Sequence, residues 1–282
     1  AGFWLEGGIG MDTGTGQASN PNNALTVAPS ANQGMTFNRR STLSLSGQWG
    51  EVRLGRDVLP QYWNLLAFDP FFNSGVGATQ LFNGIPTGQM AARASNSIGY
   101  FLPANLGGFY GQVMYYVGEN ARATPQRDDG NGAGIRIGYA SGPFNIAGAT
   151  GRTRFVTGDA RQSNLSASWD FGVAKLIGSV SRDEVGTLEG KGASLGVTAP
   201  IGVGEAKLNY SVYKTSVHAS PESRKLSLGY VHNLSKRTAV YVSAAFLRNS
   251  NGGTSSVALG AGAPITANAS SRGYDLGMRH TF

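Results

Sequence analysis

Apolar and polar positions alternate with a period of two through most of the chain. In EAKLNYSVYKT (205–215), Ala206, Leu208, Tyr210 and Val212 fall on one face, and Glu205, Lys207, Asn209 and Ser211 on the other. In RKLSLGYVH (224–232), Leu226, Leu228 and Tyr230 oppose Lys225, Ser227 and Gly229. The run 238–248 sets Val240, Val242, Ala244 and Phe246 against Tyr241, Ser243 and Ala245. The run 273–282 sets Tyr274, Leu276, Met278 and Phe282 against Asp275, Gly277 and Arg279. Successive side chains of a strand point to opposite faces, so these runs predict strands with one apolar face. Fourteen segments read this way: 3–12, 37–47, 51–58, 96–103, 107–118, 133–140, 144–152, 162–171, 173–184, 190–199, 205–216, 224–233, 238–249 and 272–282.

The connections alternate in length. GQWG (47–50), ANLGG (104–108), SGPF (141–144), PIGVG (200–204) and NLSKR (233–237) are short, whereas 13–36, 59–95, 119–132 and 250–271 are long. The connections 153–161 and 217–223 fall on the long side, as does the short one near 185–189. Short turns at one end, long loops at the other and strands of about ten residues are the pattern of an outer-membrane β-barrel. A soluble sandwich would carry charge on its wet face. Here that face is rich in Gly, Ser and Asn with a few Arg and Lys, which suits a water-filled lumen. Aromatics near segment ends (Phe3, Trp4, Trp49, Phe101, Phe109, Trp169, Phe171, Phe282) suit interfacial girdles.

Composition agrees and removes alternatives. Charged residues are 14% of the chain, against about 25% for a soluble domain. Glycine is 42 of 282 residues without a triplet period, and aromatics at 10% are too many for disorder. No run reaches the ~18 apolar residues of a membrane helix. With no cysteine and three scattered histidines, neither a disulfide framework nor a zinc site is expected. The net charge of +7 is spread along the chain, which argues for a distributed positive field and against a nucleic-acid arm. The opening AGFWLEGGIG lacks the basic and apolar regions of a signal peptide, so a leader is expected to lie outside it.

Three motifs carry a resemblance: FNRRSTLSLSGQWGEVRLGRD (37–57), RASNSIGYFLP (93–103) and the terminal RGYDLGMRHTF. Together they resemble the Gram-negative trimeric porins, and most nearly the neisserial and comamonad branch, which includes anion-selective channels. The resemblance runs over essentially the whole chain. It implies a single β-barrel domain (1–282), a homotrimer, an outer-membrane location and contact with lipid and lipopolysaccharide. Porins of this family have sixteen strands, and fourteen are visible here. FWLEGGI resembles their third strand, so two strands are expected to precede it.

The stretch 59–95 is too long for a turn. Leu65, Leu66, Phe68, Phe71, Phe72, Leu81 and Phe82 suit packing against an inner wall. At this position porins fold a loop into the barrel, so 59–95 is expected to form the constriction. It carries one acidic residue, Asp69, before Arg93. The resemblance matches Arg39 and Arg93 to wall arginines of the family, and Arg56 to a position that contacts another subunit's loop. By period alone Arg136 faces inward, as do Lys207, Lys225 and Arg279, the last three as lumen wall. Guanidinium groups stay charged and offer several donors to passing anions. Arg152, Arg154 and Arg161, near a loop, are candidates for lipopolysaccharide phosphates. In the family the loop equivalent to 13–36 leans onto a neighbouring subunit.

Enzyme readings find no constellation. GASLG (192–196) fits G-x-S-x-G, but Ser194 lies inside an alternating strand where the motif needs a strand-to-helix turn. His218, His232 and His280 fall in separate segments. The reading is a passive diffusion channel for small hydrophilic solutes that prefers anions, with no cofactor, no metal and no catalytic residue. The alternatives are a channel specific for organic acids, phosphate or sugars, with Tyr62, Tyr213 and Tyr241 as candidate sugar contacts, and an outer-membrane enzyme.

Overall fold

A computed structural model describes residues 1–10, 13–24, 34–82, 91–257 and 265–281. Fourteen strands form where the period-two pattern lies: β1 (Gly2–Glu6), β2 (Arg40–Gly47), β3 (Gly50–Val58), β4 (Arg93–Phe101), β5 (Phe109–Tyr116), β6 (Gly132–Ser141), β7 (Phe144–Thr153), β8 (Ala160–Asp170), β9 (Lys175–Val185), β10 (Leu188–Ile201), β11 (Gly204–Thr215), β12 (Glu222–Asn233), β13 (Thr238–Ser250) and β14 (Ser270–His280). They make one continuous antiparallel meander in sequence order, and among the described residues β1 and β14 do not pair with each other. Among the described residues one α-helix, α1 (Pro60–Ala67), and three short 3-10 turns complete the regular structure.

The two faces of the sheet differ as the alternation requires. Outward positions are apolar and bare, with Leu195 57% and Leu276 84% exposed. Such a surface is stable only in a non-aqueous surround. The inward face is Ser, Asn, Gly and Thr, with Asn164, Ser166, Asn209, Ser211 and Ser227 buried. What buries them is the segment between β3 and β4. α1 packs on β5, β6, β7 and β8, while the turns Gly75–Gly77 and Gln80–Phe82 reach β10 to β14. One segment thus touches both halves of the sheet on the same face, so the sheet curls around it.

Aromatics mark the short-turn end. Trp49, Phe109, Trp169 and Phe171 are exposed, and Phe109 stacks on Tyr139 and Trp169 on Phe144. Two residues assigned to this girdle by sequence lie elsewhere. Trp4 pairs with Thr42 on the inner side and receives the Arg40 guanidinium at 4.7 Å. Phe101, opposite Glu51, holds the Arg53 guanidinium at 3.9 Å. A cation on the inner wall competes for the ring face, and period two cannot register that. Phe282 lies outside the described residues.

Candidate functional site

The segment 59–82 enters the lumen as a helix because Pro60 sits at its first position, where the missing N–H costs nothing. Leu59, Tyr62, Leu65, Ala78, Leu81 and Phe82 form an apolar cluster with Ala94, Met114 and Tyr116 of the wall. Phe68 and Phe71 are also buried. Phe72, expected on the wall as well, is exposed and meets Trp63 edge-on. Residues 83–90 of the expected constriction loop lie outside the described residues.

The wall facing this segment is polar, so polar side chains of the segment bind it. Asn64 donates to the Ala147 carbonyl (3.0 Å) and to Asn164 Oδ1 (2.8 Å), and Asn164 donates to the Gln61 carbonyl at 2.9 Å. Gln80 takes a bond from Ser223 Oγ (3.2 Å), and its N–H donates to Ser211 Oγ (3.0 Å). The Val76 N–H donates to Asp275 of β14 at 2.5 Å.

Glycines on the inner face make room for this contact. A Cβ at Gly151 would stand 2.6 Å from Gln61 Cδ, and one at Gly196 2.4 Å from Pro70 Cγ. Gly75 adopts φ +57°, which lets its neighbour reach Asp275.

Three of the inward cations named by period are tethers. Arg136, 7% exposed, donates to Asn64 Oδ1 at 2.8 Å and stacks on Tyr110. Lys207 donates to the Pro70 carbonyl at 2.8 Å. Lys225, fully buried, donates to the carbonyls of Ala78 (2.8 Å) and Val257 (3.1 Å). Parity set their face correctly, but they meet the loop instead of water. Arg279 is exposed on the inner face near the short-turn end. Asp69 is buried and accepts the N–H groups of Asn73 (2.8 Å) and Phe71 (3.4 Å), which closes its own turn. Burial raises its carboxyl pKa to about 6.

A second group of cations, Arg39, Arg56 and Arg93, gathers just before β2, near the end of β3 and at the start of β4. Arg39 is exposed and ion-paired to Glu6. Arg93 repels both Arg39 and Arg56, and its Nε has no hydrogen-bond partner. No ion pair of Arg93 or Arg56 occurs among the described residues. Both Arg39 and Arg93 lie near enough to Tyr62 of α1 to act on it electrostatically.

Arg56 enters this group through a β-bulge between Gly55 and Asp57. By register it is outward, opposite Ser41, yet its Nη1 donates to Ser95 Oγ (2.7 Å) and its Nε to the Asn38 carbonyl (2.6 Å). A bulge re-aims a side chain in this way. Its bonds are therefore within its own chain. Arg40 and Arg53, by contrast, share Asp57, and Arg53 also holds Glu51.

The loop after β1 folds back on its own subunit. Asn23 accepts the Ser95 N–H (2.7 Å) and donates to the carbonyls of Val117 (3.0 Å) and Gly130 (3.2 Å). Residues 11–12 and 25–33 lie outside the described residues. The sugar-contact candidates do not line up: Tyr213 is buried and donates to Asp183 (2.8 Å), whereas Tyr62 sits on α1 and Tyr241 is partly exposed beside Gly277. Ser194 is mid-strand in β10.

A meander with a bare apolar outer face, a polar inner face and a segment folded inside defines an outer-membrane channel of the porin class. The chain belongs to the Gram-negative porin family, whose description matches residues 1–252. It is 37% identical over 298 aligned positions to outer membrane porin protein 32 of Delftia acidovorans, covering 100% of this chain and 80% of the relative. It superposes on the anion-selective porin from Comamonas acidovorans with a TM-score of 0.84 and 36% identity, covering 99% of this chain and 84% of that one. The OmpT outer-membrane protein of Vibrio cholerae shares the fold at 14% identity, with a TM-score of 0.64 and coverage of 87% and 81%. The chain is thus an outer-membrane porin, a passive diffusion channel and not an enzyme.

Proposed function

We propose that 59–95 is the constriction loop of a single barrel domain (1–282) and that Arg39, Arg56 and Arg93, facing Tyr62, make the channel prefer anions. The observation that carries this reading is the Arg93 guanidinium, which lies beside Arg39 and Arg56 and, although Glu6 and Asp57 are within electrostatic reach, makes no ion pair among the described residues. An uncompensated charge in a narrow lumen acts at a dielectric below that of bulk water. Anions concentrate there, cations are repelled, and a wet polar wall keeps binding weak enough for release. Arg136, Lys207, Lys225 and Asp69 serve this constriction by fixing the loop, and Arg279 adds charge near the short-turn mouth. The assembly is a homotrimer in contact with lipid and lipopolysaccharide, passing small anions and other small hydrophilic solutes. The anion-selective porin from Comamonas acidovorans supports the charge preference by analogy.

The test is the zero-current potential across a planar bilayer under a KCl gradient. The expected sign is that of chloride preference, decreasing at high salt as screening grows. A potential near zero or of cation sign would overturn the assignment. A variant carrying Arg39→Gln and Arg93→Gln should move the potential toward zero without closing the channel. Migration of the detergent-solubilised protein at three times the chain mass would support the trimer.

A further inference from the structure

We propose, resting on the anion preference above, that the pore side of the constriction segment carries a subsite for aromatic carboxylates. The ring of such a solute lies on Trp63 and Phe72, and its carboxylate meets the cluster of Arg39, Arg56 and Arg93. α1 is inverted relative to a helix of a water-soluble protein. Its amides Gln61 and Asn64 are buried on the polar wall, whereas Trp63 and Ala67, four residues apart and so on one stripe, are exposed. Phe72 is 54% exposed beside them, and its ring meets that of Trp63 at 6.3 Å and 85°. The segment lies inside the curl of the sheet, so these rings face water and not lipid. Adjacent exposed aromatics are costly in water and mark a site of interaction.

The backbone is strained where it displays Phe72. This residue sits at φ +53°, in the left-handed region that bulky side chains avoid, and Asn73 follows at +50°. Three bonds hold the turn. The Phe72 N–H donates to the Asp69 carbonyl (2.9 Å), the Asn73 N–H to the Asp69 carboxylate (2.8 Å), and the Asn73 amide to the Tyr62 hydroxyl. Strain that the surroundings enforce clusters at ligand sites. Glycine would adopt this φ without cost, yet position 72 carries a phenyl ring exposed to the pore.

Tyr62 joins the aromatic pair to the cations. Trp63 follows it in α1, its hydroxyl accepts the Asn73 amide, and Arg93 and Arg39 act on it electrostatically. Asp69, the one carboxylate of 59–82, is buried in its own turn, so no acid of the segment opposes an incoming anion. An arylcarboxylate matches both halves of this arrangement. Its flat ring takes offset-stacked and edge-to-face contacts with two perpendicular rings, and its carboxylate takes the paired donors of a guanidinium. Saturated acids and inorganic anions match the charge alone.

The experiment is block of the chloride current through the assembled protein in a planar bilayer, at a pH where both added acids are ionised. The probes are benzoate and cyclohexanecarboxylate. Their equal charge removes the anion preference from the comparison, and only the aromatic ring separates them. Benzoate should halve the current at about fivefold lower concentration, a ratio of ~1 kcal/mol that suits an aromatic contact. Trp63→Ala combined with Phe72→Gly should abolish that ratio. Alanine suits an exposed helix position and glycine suits φ +53°, so neither change opposes folding. Equal block of the native channel by the two acids, or block by neither, would overturn the proposal, and this comparison stands alone if the variant forms no channel. An undiminished ratio in a conducting variant would also overturn it. The two readings fail separately: a KCl potential without the chloride sign strikes the arginine cluster, whereas equal block strikes the aromatic pair.

Discussion

Replacing Lys225 with Met isolates the tether between the loop and the wall. Methionine keeps the apolar stem and removes only the ammonium group. That group is fully buried and bonds the carbonyls of Ala78 and Val257 at 2.8 and 3.1 Å. Its loss leaves two buried acceptors unsatisfied, each costing about 1–3 kcal/mol. The lower end of the sum, about 2 kcal/mol, raises the undocked population of the 78–82 region roughly 30-fold, since ~1.4 kcal/mol is tenfold. α1 keeps its own bonds to Ala147, Asn164 and Arg136, so only the second half of the loop should loosen. The chain has no cysteine, which makes one introduced thiol a clean reporter. Thr79→Cys, at a buried position on that segment, should react with a small water-soluble thiosulfonate at least tenfold faster when Lys225 is also Met. An unchanged rate would refute the tether, because the ammonium would then contribute nothing that solvent does not replace.

Other expected outcomes follow from the same geometry. Arg93→Gln alone should lower the chloride-to-potassium permeability ratio several-fold, read from the zero-current potential, with the difference shrinking above about 1 M salt where the screening length is ~3 Å. Asp69 has a folded pKa of about 6, above its ordinary 3.8. Its contribution to loop docking is therefore full below 3.8 and lost as pH rises through 6. After correction for thiol ionisation, labelling of Thr79→Cys should accelerate between pH 5 and pH 7 by about tenfold, one pKa unit being ~1.4 kcal/mol, and Asp69→Asn should flatten the profile. Gly151→Val would drive its Cβ against Gln61, push α1 toward the pore axis and lower single-channel conductance. Arg56→Gln should reduce selectivity as Arg93→Gln does, since the bulge brings Arg56 beside Arg93.

The strands were legible because lipid on one side and water on the other write the period-two pattern directly into the residues. Thirteen lie within three positions of the segments read from alternation, whereas β1 ends at Glu6 although alternation was read on to 12. Parity also set Arg136, Lys207 and Lys225 on the inner face. What parity cannot carry is occupancy. The inner face is covered by the loop near these three, whereas the Arg39 side chain stays exposed among the described residues, and only the path of 59–82 distinguishes the two cases. Arg56 was hidden for another reason: a bulge breaks the alternation on which the reading depends. Asn64 and Gln61 were overlooked as loop tethers, although two amides on an otherwise apolar helix were a signal that the helix meets a polar surface. Asn23, whose bonds hold the loop after β1 to its own wall, left no such signal among neighbouring Asn and Ser.

The lysines and arginine that hold the loop have a consequence for attempts to widen the pore. In an ordinary channel, enlarging the bore dilutes the field of the wall and weakens discrimination. Here, excising 60–82 would also unmask Arg136, Lys207 and Lys225, which now spend their charge on amides and carbonyls of that segment. The enlarged duct would gain three solvated cations, one on β6 and two on β11 and β12, as it lost the segment that covers them. Bore and charge are coupled in this barrel, and an engineered wide form would expose more positive charge on its inner face than the native one.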